Sequence, residues 1–327
     1  MAFVDIWSRT QAFIADLFQS VNVTADVPAA VIVSAFLILL GMEINVTRRS
    51  RRLTPVLRQS YRTNLATFLF NDLLLSLLSV SSLLVLAERY AHHGLLYAVD
   101  DVSVKAALAF ILFDLTIYLW HKANHRLDWL WRFHKVHHSD RSMNVSTAFR
   151  LHFAEILLTT AVKALFIIVS GVEVAIVAAC EAVTSVFVLF HHANVAFRAE
   201  RWLGRIFVVP ALHRVHHSVQ RSEHDSNYGQ VFSVWDRIFG TYTAPRPVEV
   251  GLRNAGGQSF LELLKFGLAG PGSVQPGPNP MLSAEILKIM IAEAAYYKAE
   301  TRGFAPGWEV VDWLVAEREI KERIGQI

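Results

Sequence analysis

The stretch VKAALAFILFDLTIYLWHKANH, residues 104–125, joins an apolar segment to two histidines four positions apart. A bilayer core takes about 20 helical residues, so Val104 to Trp120 can cross a membrane when tilt or flanking residues contribute. Residues four apart on a helix lie about 40° from each other around its axis, so His121 and His125 face one way. The stretch predicts a membrane helix that carries two imidazoles at one end.

Two further histidine clusters have metal-ligand spacing, HKVHH at residues 134–138 and HRVHH at residues 213–217. Helical spacing lets each cluster aim its rings at one point. The clustered histidines are His121, His125, His134, His137, His138, His213, His216 and His217. One or both of His191 and His192 join them. A structural zinc ion needs only about four ligands, so this surplus favours a dinuclear metal site.

Composition indicates a membrane protein. The chain has 327 residues, of which 53% are hydrophobic and 18% charged, whereas soluble domains carry about 25% charged residues. The single cysteine, Cys180, excludes a disulfide framework and a cysteine-based zinc site. The net charge of +3 is small, and its clearest concentration, RRSRR at residues 48–52, indicates topology rather than nucleic-acid binding.

Apolar stretches predict an all-α integral membrane protein with four to five transmembrane or deeply inserted helices. The stretches are Val27–Met42, Leu65–Leu86, Val104–Trp120, Ile156–Ser170 and Val172–Phe190. The last two are separated only by a tight turn at Gly171. Arginines between the first two stretches place that loop in the cytoplasm. All histidine clusters then lie on the cytoplasmic face, in a helical cap that carries the dimetal site.

The remaining segments suggest four regions. Residues 1–26 have an amphipathic pattern typical of an interfacial segment, not a cleavable signal peptide. Residues 27–250 form the membrane domain with its cap. Residues 251–280 include a Gly/Pro-rich stretch and are predicted to be a linker. Residues 281–327 predict a small helical unit, with two short helices around residues 303–307 and Val310, Val311, Leu314 and Val315 on one side of the second.

Ionisable residues inside the spans are candidates for positioning the metal ligands. Asp114 and Tyr118 share one helical face with His121 and His125, and Glu181 shares a face with His192. An ionisable residue in a span is costly and usually functional. Asp114 or Glu181 is expected to accept the outer N–H of a ligating imidazole. A helix–helix hydrogen bond is the alternative for both.

Other metal chemistries fit the pattern less well. Haem needs one or two axial histidines rather than eight or nine. A zinc-dependent membrane hydrolase needs a carboxylate such as the one in HExxH, and HKANH and HRVHH contain none. A non-enzymatic metal transporter or sensor would carry ligands along its spans. The hydrolase and the non-enzymatic metal-binding protein remain as alternatives.

The order of motifs resembles the fatty acid hydroxylase / sterol desaturase superfamily of membrane di-iron oxygenases. The resemblance runs from Asn64 to Tyr242 and includes LWRFHKVHHS from Leu130, HHANV from His191 and NYGQVFSVWDRIFGTY from Asn227. It implies metal ligation by His121, His125, His134, His137, His138, His192, His213, His216 and His217, with His191 the less regular member of its pair.

The resemblance also implies the reaction. Two iron ions would activate O2 as co-substrate, and the product would be a hydroxylated or desaturated lipid such as a sterol, hopanoid, fatty acyl chain or ether lipid. No GxGxxG segment is present. Electrons are therefore expected from an external reductase, ferredoxin or cytochrome.

Four further histidines lie outside the expected ligand set. His152 is followed by Phe153 where similar proteins have proline, so a supporting or helix-capping role is expected. His224 is expected on the surface, and His92 and His93 in a solvated loop. The C-terminal unit resembles a small bacterial domain of unknown function. A bacterial inner membrane is therefore expected, with the C-terminus in the cytoplasm.

Overall fold

The computed structural model describes residues 26–49, 54–77, 83–91, 93–245, 248–252, 255, 258–270 and 284–323. Residues 1–25 of the predicted interfacial segment lie outside this set. Four described helices are long and apolar enough to cross a membrane, over Asp26–Asn45, Val102–Arg126, Phe153–Ser170 and Val174–His192. They match four of the five predicted stretches. The described residues contain helices and no named strand, so the all-α membrane fold is confirmed.

The membrane part begins with helices α1 (Asp26–Arg49), α2 (Pro55–Leu77), α3 (Leu83–Tyr90) and α4 (Val102–Arg126). Helices α6 (Phe153–Ser170) and α7 (Val174–His192) complete it. Helix α4 packs against both α6 and α7, and α1 packs against α7. The spans therefore form one bundle around α4 and α7.

The predicted span Leu65–Leu86 takes in the end of α2 and the start of α3, and residues 78–82 between them lie outside the described residues. Helix α2 begins ten residues earlier, at Pro55, and α3 starts only at Leu83. Helix α2 carries buried polar groups, and it does not qualify as a span by hydropathy. Its Ser60 hydroxyl donates to Asp140 Oδ2 over 2.7 Å at the cap end. The backbone just after α3, at Leu95, donates to the Val169 carbonyl near the opposite end of the bundle.

The turn between α6 and α7 needs glycine. Gly171 adopts a left-handed φ of 67°. A Cβ at this position would lie 2.0 Å from the carbonyl oxygen of His93. A side chain would therefore be strained and would also push the segment after α3 away. The predicted tight hairpin between the fourth and fifth stretches is present in the structure.

The cap consists of residues 127–152 and 193–270. Its helices are α5 (Asp128–His138), a 3₁₀ helix (Val145–Phe149), α8 (Glu200–Leu203), α9 (Pro210–His216), α10 (Arg221–His224), α11 (Val234–Ile238) and α12 (Phe260–Leu268). The end of α4, the start of α6 and the end of α7 all point into it. The predicted gathering of the histidine clusters at one end of the bundle is therefore present.

Part of the predicted linker, residues 251–280, is helical in α12. The sequence FLELLKFGL forms a capped helix with a buried Leu263, and this helix packs against α5. Gly267 lies against the ring of His152, where a Cβ would come within 2.3 Å of Cδ2. The ammonium group of Lys135 donates to the carbonyls of Ala269 and Gly270. Residues 271–280 lie outside the described residues.

The C-terminal unit is a helical hairpin of α13 (Ala284–Thr301) and α14 (Glu309–Arg323). Its small core joins Ile291 and Ala294 to Ala316 and Ile320. The apolar side predicted for the second helix is exposed instead. Its residues are Val310, Val311, Leu314 and Val315. The hairpin contacts the cap where Arg214 Nε lies 3.2 Å from Glu293 Oε1.

Candidate metal centre

Nine buried histidines form two groups whose ring nitrogens lie within 4.8 Å of one another. Site A contains His121, His125, His134, His138 and His216. Site B contains His137, His192, His213 and His217. None of these side chains is more than 5% exposed. The two groups together comprise the nine histidines to which the family resemblance assigns metal ligation.

Helical spacing divides the clusters between the sites. On α5, His134 and His138 are four apart and face site A, whereas His137 faces site B. On α9, His216 faces site A, while His213 faces site B with His217, the residue that follows the helix. Each of these two cap helices therefore supplies ligands to both sites.

The inward nitrogens are spaced like ligands of a shared ion. His121 Nε2 lies 3.1 Å from His134 Nε2 in site A. In site B, His192 Nε2 lies 3.0 Å from the Nε2 atoms of both His137 and His213. Two nitrogens about 2.1 Å from one ion and at right angles to each other are about 3.0 Å apart.

Several buried ring nitrogens have no hydrogen-bond partner. They include His125 Nε2, His138 Nδ1 and Nε2, and His216 Nε2 in site A, and His137 Nδ1, His213 Nδ1 and His217 Nδ1 in site B. A buried polar atom without a partner costs about 1–3 kcal/mol. In site A a metal ion would satisfy the unpartnered Nε2 atoms, and in site B it would lie among the Nε2 atoms of His137, His192, His213 and His217, which face one another at 3.0–3.2 Å. The residues present fit two metal ions.

The outer nitrogens of several rings are held by the protein. His134 Nδ1 lies 2.6 Å from Glu155 Oε1, and His125 Nδ1 lies 3.3 Å from Asp225 Oδ1. Backbone carbonyls accept from Nδ1 of three more rings: Tyr228 from His121, Ser226 from His216 and Val188 from His192. An Nδ1 that donates leaves the Nε2 lone pair facing inward, which fixes the tautomer that metal binding needs.

Glu155 is a functional candidate that the sequence analysis missed. Its carboxylate is buried at the start of α6, 21 residues after its partner His134. The sequence FRLHFAE drew attention to His152 instead. The available signal was an acidic residue in the first turn of a span, directly after a histidine-bearing segment.

The three predicted positioning residues hold other parts of the structure. Asp114 accepts hydrogen bonds from the backbone N–H groups of Val231 and Phe232 and from Trp235 Nε1. The Tyr118 hydroxyl bonds Thr241, and Glu181 pairs with Lys163 over 2.7 Å. No imidazole contact is recorded for Asp114, Tyr118 or Glu181 among the described residues.

Asp114 is too far from His121 along α4 for its carboxylate to reach the His121 ring. Its Cα precedes that of His121 by seven residues, about 10 Å along the helix. A short aspartate side chain cannot bridge that distance. Asp114 instead fastens α4 to the cap segment that contains Tyr228, whose carbonyl orients His121. The alternative expectation, a helix–helix contact in the bundle, describes Glu181, which pairs with Lys163 of α6, but not Asp114.

The remaining histidines lie outside both groups. His191 is buried with its ring centroid 3.9 Å from that of His213, and neither of its nitrogens has a hydrogen-bond partner. His152 Nδ1 accepts from the backbone N–H of Ala154 and caps α6, the role expected for it. His93 is exposed, as expected, and His92 lies outside the described residues.

The expectation of a surface position for His224 is wrong. Its side chain is buried, and its ring stacks on Trp131 with centroids 5.2 Å apart. Its Nδ1 lies 3.0 Å from the Ser218 carbonyl. The segment after α9 folds back over site A, so polar residues that look like a surface turn are enclosed.

The electrostatics favour neutral imidazoles. Burial, followed by the charges of neighbouring imidazoles, lowers the pKa of His137, His138, His213 and His217 well below the usual histidine value. Burial likewise lowers the pKa of His216. Neutral imidazole is the form that binds metal, so these ligands are ready at neutral pH.

A buried aspartate organises the cap loop over site A. Asp236 accepts from the backbone N–H groups of Tyr228 and Gly229 and from the Thr241 hydroxyl. Burial raises the pKa of Asp236 to about 6. These bonds place the Tyr228 carbonyl 2.8 Å from His121 Nδ1.

A cavity of about 310 Å³ opens between the spans beside the two sites. Its cap end includes His121, His134, His137, His192 and His213. Apolar side chains such as Ile32, Ile117, Phe149 and Leu189 cover much of its wall. An apolar chain from the bilayer can therefore reach both groups of imidazoles.

Comparisons with known proteins agree with this geometry. Residues 106–241 match the fatty acid hydroxylase family, and residues 289–322 match a protein family of unknown function, DUF2934. The first match includes the nine histidines of sites A and B. This family match confirms the resemblance seen in the motifs.

Similar proteins include lipid hydroxylases. The chain is 31% identical to the ornithine lipid hydroxylase of Rhizobium tropici over 166 residues, 50% of each protein. It is 34% identical to the alkylglycerol monooxygenase of Caenorhabditis elegans over 136 residues, 41% of this chain and 26% of that protein. It is 30% identical to the cholesterol 25-hydroxylase of Mus musculus over 152 residues, 43% of this chain and 47% of that protein. The chain spans about half or less of these curated relatives, and no solved structure matches it significantly.

Proposed function

We propose that this chain is a membrane-embedded hydroxylase that inserts one oxygen atom of O2 into a C–H bond of a lipid. The observation that carries the proposal is the pair of neutral histidine groups at the end of an apolar cavity between membrane spans. A water-soluble substrate would not require a site at the end of an apolar cavity between membrane spans. A lipid chain can enter it from the bilayer.

Two iron ions would occupy sites A and B. When bound, they would activate O2, so that one oxygen atom enters the C–H bond and the other leaves as water, with two electrons from an external donor and two protons. Imidazole suits iron, and Glu155 and the backbone carbonyls orient the ligand rings. The apolar wall of the cavity excludes water from the reacting carbon.

The substrate class follows from the cavity and the relatives. The named substrates of the relatives are an ornithine lipid, alkylglycerols and cholesterol, and all are lipids. These relatives are hydroxylases or monooxygenases, which favours hydroxylation over desaturation. We therefore expect an alcohol product from a membrane lipid.

The electron donor and the sidedness of the site form part of the proposal. The chain contains no GxGxxG segment, so an external reductase, ferredoxin or cytochrome is expected to supply electrons. The sequence has six arginines from Arg48 to Arg62, and α2, which begins at Pro55, contacts the cap through Ser60, which favours a cytoplasmic cap. We propose the bacterial inner membrane, with the histidine sites and the C-terminus in the cytoplasm.

One observation favours a second candidate, the zinc-dependent hydrolase. Glu155 lines the cavity, and its Oε2 atom has no hydrogen-bond partner. A carboxylate beside a metal site is what a general base requires. Its other oxygen, however, is held by His134, which is the arrangement of a ligand-orienting carboxylate.

Isotope labelling distinguishes the two candidates. The full chain is produced in a bacterial host under ¹⁸O2, and the host lipids are compared by mass spectrometry with those of cells that carry the His137→Ala variant. We expect a lipid with one ¹⁸O atom in the wild-type cells alone, and iron in the purified protein. His93→Ala, which changes an exposed histidine outside both sites, is the matched control.

Two results would contradict the oxygenase. One is an unchanged lipid profile from iron-loaded protein under oxygen. The other is a product whose new oxygen comes from water, formed by zinc-loaded protein without O2. The second result would support the hydrolase.

A further inference from the structure

An ion pair lies inside the membrane bundle beside the cavity. Lys163 Nζ in α6 and Glu181 Oε2 in α7 are 2.7 Å apart. Glu181 precedes His192 by eleven residues, and Lys163 follows Glu155 by eight residues. At about 1.5 Å per helical residue, the pair lies about 12–16 Å from the metal sites along the bundle. That depth is near the middle of a bilayer core of about 30 Å.

The polar groups around this pair are incompletely satisfied. Glu181 Oε1 is buried and has no hydrogen-bond partner. The Thr184 side chain is 6% exposed, and its hydroxyl also has no partner. Lys163, Thr184 and Ser185 line the same cavity as the imidazoles. The cavity therefore has a metal-binding end and a separate polar end.

A purely structural role explains this group poorly. The two side chains are 20% and 26% exposed, and within a membrane span an ion pair loses much of its Coulomb energy to desolvation, so apolar side chains would join α6 and α7 equally well. Ionisable residues within a membrane span usually face a substrate or ion pathway. Leaving Glu181 Oε1 and the Thr184 hydroxyl unpaired adds a further cost unless a ligand satisfies them.

We propose that Lys163 and Thr184, with Glu181 holding the Lys163 ammonium in place, form a subsite for a neutral hydroxyl group of the lipid. This assignment rests on the proposed function, because it concerns the substrate of that reaction. A hydroxyl both donates and accepts, so it can accept from the Lys163 ammonium and donate to the Thr184 hydroxyl, and both of these residues line the cavity. An anionic group would meet the Glu181 carboxylate, and a cationic group would meet the Lys163 ammonium. A lipid hydroxyl in hydrocarbon is costly without such partners.

The subsite would also select the carbon that reacts. With the hydroxyl held at the middle of α6 and α7, only carbons at a fixed distance along the lipid reach the imidazole groups. The position of the oxidised carbon is then fixed by its number of carbons from the hydroxyl and not from the terminal methyl group.

Photolabelling tests binding without turnover. The full chain in phosphatidylcholine nanodiscs is labelled with 1-octadecanol that carries a diazirine beside the hydroxyl-bearing carbon, and the labelled peptides are mapped by mass spectrometry. We expect labels on the middle of α6 and α7. Excess 1-octadecanol should compete, whereas octadecane, octadecanoic acid and octadecylamine should compete about tenfold less. Octadecane lacks the hydrogen bond to a charged group, and each charged head group meets a like charge in the pair.

Two variants and a matched control separate binding from structure. The double variant Lys163→Met/Glu181→Leu should lower labelling at α6 and α7 about tenfold, and Thr184→Val should lower it severalfold. The control Lys105→Met/Glu173→Leu removes another 2.7 Å ion pair between α4 and the start of α7, which does not line the cavity. The control should label like the wild type.

The proposal is overturned if octadecane competes as well as 1-octadecanol, if the label maps to the cap end, or if Lys163→Met/Glu181→Leu labels like the wild type. Its failure is distinguishable from failure of the oxygenase. Photolabelling needs neither O2 nor electrons, whereas ¹⁸O incorporation into host lipids reports the reaction alone.

Discussion

His137 and His138 are consecutive in the chain, but their rings belong to different metal groups and lie in planes 87° apart. Each is part of an array of buried imidazoles drawn from several helices. This relationship makes the two groups separable by mutation.

We expect His138→Ala to weaken metal binding at site A and His137→Ala to weaken it at site B. Each variant should lose about one of two bound ions, and the double variant should lose both. Inductively coupled plasma mass spectrometry of purified protein measures the ratio, with His93→Ala as the control. Full metal content in the double variant would contradict the assignment.

Glu155→Leu should weaken the metal at site A about 10- to 100-fold, because the carboxylate that orients His134 is lost. Glu155→Gln keeps a hydrogen-bond acceptor and should have a smaller effect. Competition with a calibrated chelator measures the affinities. If Glu155→Gln instead abolishes turnover while metal binding is unchanged, Glu155 acts as a base rather than as an orienting group.

Asp114→Ala should detach the cap loop from α4, because three donors lose their shared acceptor. An unsatisfied buried donor costs about 1–3 kcal/mol, so we expect a loss of at least about 3 kcal/mol. Limited proteolysis near residues 228–235 at increasing temperature measures the change. Asp114→Asn keeps one acceptor oxygen and should fall between the variant and the wild type. Unchanged protease resistance in Asp114→Ala would show that these bonds do not hold the loop.

Metal-free protein should lose stability as the pH falls. The folded-state pKa values of the site histidines outside the spans are lowered, chiefly by burial, so below about pH 6.5 the unfolded chain binds more protons than the folded chain. The stabilisation present above that pH is lost as the pH drops through the folded-state values.

Melting temperatures between pH 7.5 and pH 5, with and without chelator, check this prediction. Iron should shift the loss to lower pH, because bound metal competes with protons for the same nitrogens. A melting temperature of the chelated protein that is constant across this range would contradict it.

Helical spacing predicted the ligands but not how they divide between two ions. The spacing within HKVHH shows that His134 and His138 face one way, yet the residues of HRVHH that meet them depend on how α5 and α9 cross. That crossing is set by tertiary packing, which local periodicity does not contain. The sequence therefore predicted a dimetal site without its division into sites A and B.

The contacts that the sequence did not predict are mainly between residues far apart in the chain. Glu155 and the Tyr228 carbonyl are 21 and 107 residues from the imidazoles that they orient, so no local pattern links them. The polar residues around His224 suggested a surface turn. Its burial against Trp131 comes from tertiary packing, which no local sequence pattern predicts. The apolar run Leu65–Leu86 suggested one span, although the buried polar groups of α2 belong to a helix that starts at Pro55.

The unpartnered nitrogens of sites A and B also bear on biogenesis. At sites A and B the interior of the cap is lined by imidazole nitrogens and not by apolar groups. These imidazoles come from α4, α5, α7 and α9 and from the residue after α9. Apolar contacts, such as those of Val209 and Leu212 with Phe190, also draw the cap onto the bundle. On the proposed function, iron would complete this closure, so a newly inserted chain in an iron-starved cell would hold its spans in the membrane with a less firmly closed cap.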